Sequence, residues 1–262
     1  MGDYWTSIDT FESSDSESLG ILYSAVSGNG QYVAYGGYGM SDSRRSVVIG
    51  KWNSNTDKWD IQTTLYGSDA NDQFGRSLSF NYDGTKLAIG ACYNIQVDFV
   101  LASFSGSDLE DVFYRPGYVE ILVNSDDVWS KQETLEFSES YYGFGNSVAL
   151  SGDGRTLAVG SEFGLFDDEI DDAFTSTDIE NHDLKAVVIF KETDGEWDGY
   201  SVIEASDTES LFTFGAEVEI NYDGTILATS SYFDENSSYS PTYVYNISSD
   251  EPVLLGNEIR NT

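Results

Sequence analysis

The residues of this chain best suited to chemistry are its carboxylates, and they gather in two connecting stretches. The stretch from Glu162 to Asp183 holds nine acidic residues and no Lys or Arg: Glu162, Asp167, Asp168, Glu169, Asp171, Asp172, Asp178, Glu180 and Asp183. Calcium takes several oxygen ligands from flexible loops. Asp167, Asp168, Asp171 and Asp172 are therefore candidate metal ligands with calcium as the expected cofactor; the plainer alternative is a solvated loop. The second stretch, Tyr93 to Gly117, sets Phe99, Phe104, Phe113 and Tyr114 among Asp108, Glu110 and Asp111. Aromatic anchors of this kind dominate binding hot spots, so these four are candidate partner-binding residues.

Two shorter runs also place oxygens at alternate positions: Ser79, Asn81, Asp83, Gly84 and Glu219, Asn221, Asp223, Gly224. A calcium loop needs a further ligand downstream, and apolar residues stand there instead, Leu87 and Leu227. Plain Asp-Gly hairpin turns account for both runs.

Signals for enzymatic chemistry are poor. His182 is the only histidine and lies in an acidic loop with no serine or cysteine nucleophile pattern beside it. Cys92 is the only cysteine and reads as a small buried residue. One histidine and one cysteine cannot furnish a structural zinc site. Carboxylate pairs abound, but nothing singles one out for glycosidic chemistry. The expectation is a chain that is not an enzyme, with a carboxylate-based carbohydrate hydrolase or a lectin-like protein as the alternative. Two opposed, partly buried carboxylates in a funnel would favour the hydrolase.

The elements that must position these stretches are hairpins, and the clearest runs from Phe144-Gly145 to Gly160. Ser147 to Leu150 and Thr156 to Val159 are short apolar runs on either side of Gly152-Asp153-Gly154. Asp-Gly between such runs is a strong hairpin signal. Both faces of the two runs are apolar or small, which predicts a hairpin buried on both sides within stacked sheets. The unit recurs at Phe74-Gly75 with Asp83-Gly84, at Phe214-Gly215 with Asp223-Gly224, and in worn form at Leu19-Gly20 with Asn29-Gly30. The turn glycines 30, 84, 154 and 224 stand 54, 70 and 70 residues apart. A period of this size with several strands per copy predicts a propeller or an array.

Each hairpin is followed by a variable segment, a third β-rich run, a polar turn and a fourth strand led by tryptophan: Trp59, Trp129 and Trp197. One copy thus reads as strands A to D of an antiparallel blade. The fold class expected is all-β, a propeller of four-stranded blades: about 19–66, 67–136, 137–206 and 207–262 of a single domain spanning 1–262. Residues 1–18, with Trp5, read as a spare outer strand. Val253 to Ile259 reads as the last D strand, without tryptophan. Four copies fit either a closed four-bladed ring or a slice of a longer array.

The run Phe144-Gly-x-Ser-Val-Ala-Leu-Ser-x-Asp-Gly-x-Thr-Leu-Ala-Val-Gly160, with its Trp-led strand before it, resembles the FG-GAP repeat family. The resemblance spans nearly the whole chain and is clearest in copies two to four. It implies a β-propeller related to the ligand-binding head of integrin α chains, and recognition or adhesion rather than catalysis.

Charge narrows the partners. With 46 acidic against 12 basic residues, net −34, the chain repels nucleic acid and anionic lipid surfaces. No apolar run approaches the ~18 residues of a membrane span. No signal peptide is visible, while Asn236-Ser-Ser238 and Asn246-Ile-Ser248 fit the N-glycosylation pattern. The expectation is a non-enzymatic recognition, adhesion or structural assembly module, extracellular or on a cell or particle surface. It would bind a protein or glycan ligand through the face where B–C and D–A connections emerge, with self-assembly through edge strands as a further route.

Overall fold

The computed structural model describes residues 21–38, 44–69, 72–92, 117–136, 143–161, 186–204, 214–231, 241–257 and 259. They form sixteen strands and no helix. In chain order these are β1 (Ile21–Val26), β2 (Tyr32–Tyr38), β3 (Arg45–Asn53), β4 (Lys58–Tyr66), β5 (Ser77–Phe80), β6 (Lys86–Ala91), β7 (Tyr118–Ser125) and β8 (Val128–Glu136). The second half adds β9 (Phe144–Leu150), β10 (Thr156–Ser161), β11 (Ala186–Thr193), β12 (Glu196–Glu204), β13 (Glu217–Ile220), β14 (Ile226–Ser230), β15 (Thr242–Asn246) and β16 (Val253–Leu254). Each consecutive four make one antiparallel sheet in chain order, so every repeat is a four-stranded meander. The fourth D strand is shorter than the sequence reading: β16 ends at Leu254, and Ile259 returns to bridge Thr242.

Every residue of β9 and of β10 is buried, as a hairpin apolar on both faces requires. The two faces enter different cores. Val148, Leu150, Leu157 and Val159 pack with Ala88, Val119 and Ile121 of the second sheet. Ala149 and Ala158 turn the other way, to Phe214, Val218 and Leu227 of the fourth. A third core joins the first sheet to the second through Ala34, Val47 and Ile49 against Phe74, Leu87 and Ile89. The sheets therefore stack like blades, with a core between each successive pair. Among the described residues no strand of the first sheet makes extended contact with the fourth.

Sheet-to-sheet contacts run mainly through β1, β5 and β9 and the strands they meet, so the A strands lie innermost. The D strands lie outermost; β4 and β8 are mostly exposed or half-buried. The Phe-Gly pair that opens each clear repeat has a mechanical role. Phe74, Phe144 and Phe214 are each at most 1% exposed. Gly75, Gly145 and Gly215 have φ of 80°, 86° and 91°, a conformation glycine adopts without penalty. The turn sends the carbonyls of Gly145 and Gly215 into the preceding blade, where the hydroxyls of Ser77 and Ser147 donate to them, each at 2.8 Å.

Candidate functional site at the loop end of the sheets

The B–C and D–A connections leave the sheets at one end, where Ala91 pairs with Tyr118 and Tyr118 with Glu136. At this end the link from β4 to β5 carries a fully buried carboxylate, Asp72. Its Oδ2 accepts from the Tyr118 hydroxyl at 2.6 Å, the Ser68 hydroxyl at 3.2 Å and the Asp69 amide at 3.1 Å. Its Oδ1 accepts from the Phe74 amide at 3.1 Å. Four donors satisfy a charge that would otherwise be costly to bury. The neighbouring Gly67 leaves the room: a Cβ there would press on the Asp72 carboxylate. Burial, and next the hydrogen bond to Asp72, push the Tyr118 phenol well above its ordinary pKa, so it remains a donor.

The two aspartates of this link differ in setting. Asp69 is half-buried and reaches water, whereas Asp72 is internal and builds the turn. The matching places in the later copies hold Tyr142 and Phe212, two positions before their Phe-Gly pairs, so the repeat itself does not mark Asp72 as internal.

Beside this turn stands Arg76. Its guanidinium lies over the Tyr23 ring, 4.6 Å from the centroid, and donates to the Tyr23 hydroxyl, linking the first and second sheets. Further round the inner strands, the Cys92 thiol is 3.9 Å from both Gln73 Oε1 and Asn146 Oδ1, and Asn146 Nδ2 donates to the Ala216 carbonyl at 3.4 Å. Cys92 is buried at 6% exposure, as its setting beside Ala91 predicts.

The opposite end carries the A–B turns, and there the plain hairpin reading accounts for the residues. Asp83 Oδ1 accepts from Asn81 Nδ2, the Thr85 amide and the Thr85 hydroxyl. Burial alone would raise the Asp83 carboxyl, but the Thr85 and Asn81 donors hold it below its ordinary value. Asp223 is likewise lowered, chiefly by the Thr225 hydroxyl. These carboxylates are occupied by their own turns. Among the described residues no three His, Cys, Asp or Glu side chains converge as metal ligands do. Asp167, Asp168, Asp171, Asp172, Phe99, Phe104, Phe113, Tyr114 and His182 lie outside the described residues.

No family model matches the chain, and no curated protein matches it. Solved structures do resemble it. One, from work on two prolyl endopeptidases, matches at 14% identity and a TM-score of 0.49, over 90% of this chain and 27% of that one. Prolyl oligopeptidase B from Galerina marginata matches at 10% identity and a TM-score of 0.47, over 90% and 28%. The β-propeller domain of the Trilobed protease from Pyrococcus furiosus, described as having an open velcro topology, matches at 13% identity and 0.46, over 90% and 57%. This chain thus spans 27% and 28% of the first two chains it resembles. These are propeller-like proteins, and the likeness is one of fold. The expectation of a non-enzymatic recognition, adhesion or assembly module is corrected to this extent: the structures named here are peptidases or a protease's propeller domain, not recognition modules.

Proposed function

We propose that the chain is a four-bladed propeller scaffold of a carboxylate-based hydrolase acting on a polar polymer, with carbohydrate as the substrate class. The observation that supports this reading is the Asp69 backbone amide held on the buried Asp72 carboxylate at the loop end. Asp69 reaches water, while Asp72 is locked internally by Tyr118, Ser68 and two backbone amides and fixes the turn that carries Asp69. Glycoside hydrolysis uses two carboxyl groups, one as acid and one as base or nucleophile; Asp69 is the member assigned here, since Asp72 is buried and taken up by its four donors. Arg76 and Gln73 stand next to the turn as groups to bind the substrate hydroxyls. The FG-GAP likeness of the repeats belongs to the same reading, as the frame that brings these loops together.

The test is turnover. The full chain is incubated with a panel of nitrophenyl glycosides and oligosaccharides, with a peptidyl nitroanilide as the comparison substrate. The reading expects saturable release from at least one glycoside class. A folded protein that releases nothing from any of them above buffer contradicts it.

A further inference from the structure

Three positions on the far face of the fourth sheet depart together from their counterparts in the other blades, and each departure blocks the same contact. Counted from the turn residues Asn29, Asp83, Asp153 and Asp223, the residue seven positions on is Gly36, Gly90, Gly160 and then Ser230. The first three glycines lie against the next blade's Phe-Gly turn. A Cβ added at Gly36, Gly90 or Gly160 would land on the carbonyl oxygen of Gly75, Gly145 or Gly215, far inside van der Waals contact. Ser230 carries that Cβ.

Six positions before the turn residue stand Tyr23, Ser77, Ser147 and then Glu217. The two serines donate to the Gly145 and Gly215 carbonyls. An ionised glutamate has no proton to donate and would set a negative charge against a carbonyl oxygen. Four positions before the turn stand Ala25, Ser79, Ala149 and then Glu219. Ala149 is buried under the fourth sheet and Ser79 accepts from the Leu150 amide, 2.9 Å away. Glu219 would have to be buried there without a partner. In the fourth sheet Glu217 lies directly across from Ser230, and Glu219 across from Ala228. Both glutamates are exposed, while Val218 between them points into the core shared with the third sheet.

We propose that the fourth sheet is the terminal unit of the blade stack: its far face rejects any further blade of this repeat type, whether from this chain or from a second copy. Stacked repeats need an end unit whose outer face is polar, since an apolar end would recruit more copies. The inference concerns packing and is independent of the hydrolase reading.

The test appends a copy of residues 137–206 behind residue 262, once to the unaltered chain and once to the E217S/E219A/S230G variant. Limited proteolysis and calorimetry then report whether the added copy docks. The expected result is rapid cleavage of the added copy on the unaltered chain, and a cleavage half-life about tenfold longer or more on the variant. Equal protection on the unaltered chain overturns the proposal. So does a lack of protection on a variant whose own melting transition is retained. Should the triple variant fail to fold, the reverse exchange decides. Ser147→Glu, Ala149→Glu and Gly160→Ser together give the third sheet the terminal face, and amide exchange at Ile226–Ser230 should accelerate about tenfold or more; unchanged exchange overturns the proposal.

Discussion

The ring of Tyr82 stands edge-on to that of Tyr222, 5.6 Å between centroids, although the two belong to sheets separated by a third. The contact closes a ladder across the A–B turns. The Asn29 amide donates to the Tyr82 carbonyl, the Tyr82 amide to Gly152, and the Asp153 amide to Tyr222. Gly28 and Gly152 make room, since a Cβ on either would strike the Tyr82 or Tyr222 ring. Tyrosine in the even blades thus covers glycine in the odd ones. A double-mutant cycle on Tyr82→Ala and Tyr222→Ala should return a coupling of about 0.5–1.5 kcal/mol in urea unfolding. Strict additivity would mean that the rings stabilise their sheets separately.

The glycine-to-carbonyl approach between blades sets the second prediction. Gly160→Ala should destabilise by about 1–3 kcal/mol, as overpacking does, although alanine suits a strand better than glycine. Gly90→Ala should behave alike. Chemical denaturation measures both, and a stabilised variant would mean that the blades separate without cost.

Tyr118 supplies the third. Removing its hydroxyl by Tyr118→Phe takes one donor from a buried carboxylate and should cost about 2 kcal/mol at neutral pH. The sign with pH follows from the raised phenol pKa. Stability from the protonated phenol is fully present below the ordinary tyrosine pKa, near 10, and is lost as pH climbs from there toward the folded value. Unfolding measured from pH 8 to 11 should therefore show the gap between wild type and Tyr118→Phe narrowing above about pH 10.

Glu219 is raised above its ordinary carboxyl pKa by desolvation and then by Glu217, so its ionised form opposes folding. That penalty is absent below the ordinary glutamate pKa and grows as pH rises through it. Glu219→Gln should raise the melting temperature at pH 7 and leave it unchanged near pH 3. An equal shift at both pH values would place the effect outside the carboxylate.

Much of the frame was legible in the sequence because the repeat exposes it. The Asp-Gly turns, the Phe-Gly openings and the two-faced apolar runs such as Val148-Ala149-Leu150 fix strands, register and blade order by local chemistry alone. Asp72 was not legible. Its burial depends on Tyr118, 46 residues away and in another strand, and on the space left by Gly67; no local pattern marks an acidic residue as internal. The polar end face was visible only afterwards. Glu217, Glu219 and Ser230 look like ordinary surface residues until the matching glycine and serine positions are seen touching the next blade's carbonyls.

If Asp69, held by Asp72, serves a hydrolase, glycoside hydrolysis depends on it; turnover is measured for wild type and for Asp69→Asn, with melting temperatures alongside. The change swaps the carboxylate for an amide of equal size and leaves the Asp69 backbone amide on Asp72 in place. The predicted result is measurable turnover by wild type that falls about a hundredfold or more in the variant, the contribution of a positioned acid or base. Turnover unchanged by Asp69→Asn, or absent from a folded wild-type chain, would contradict it.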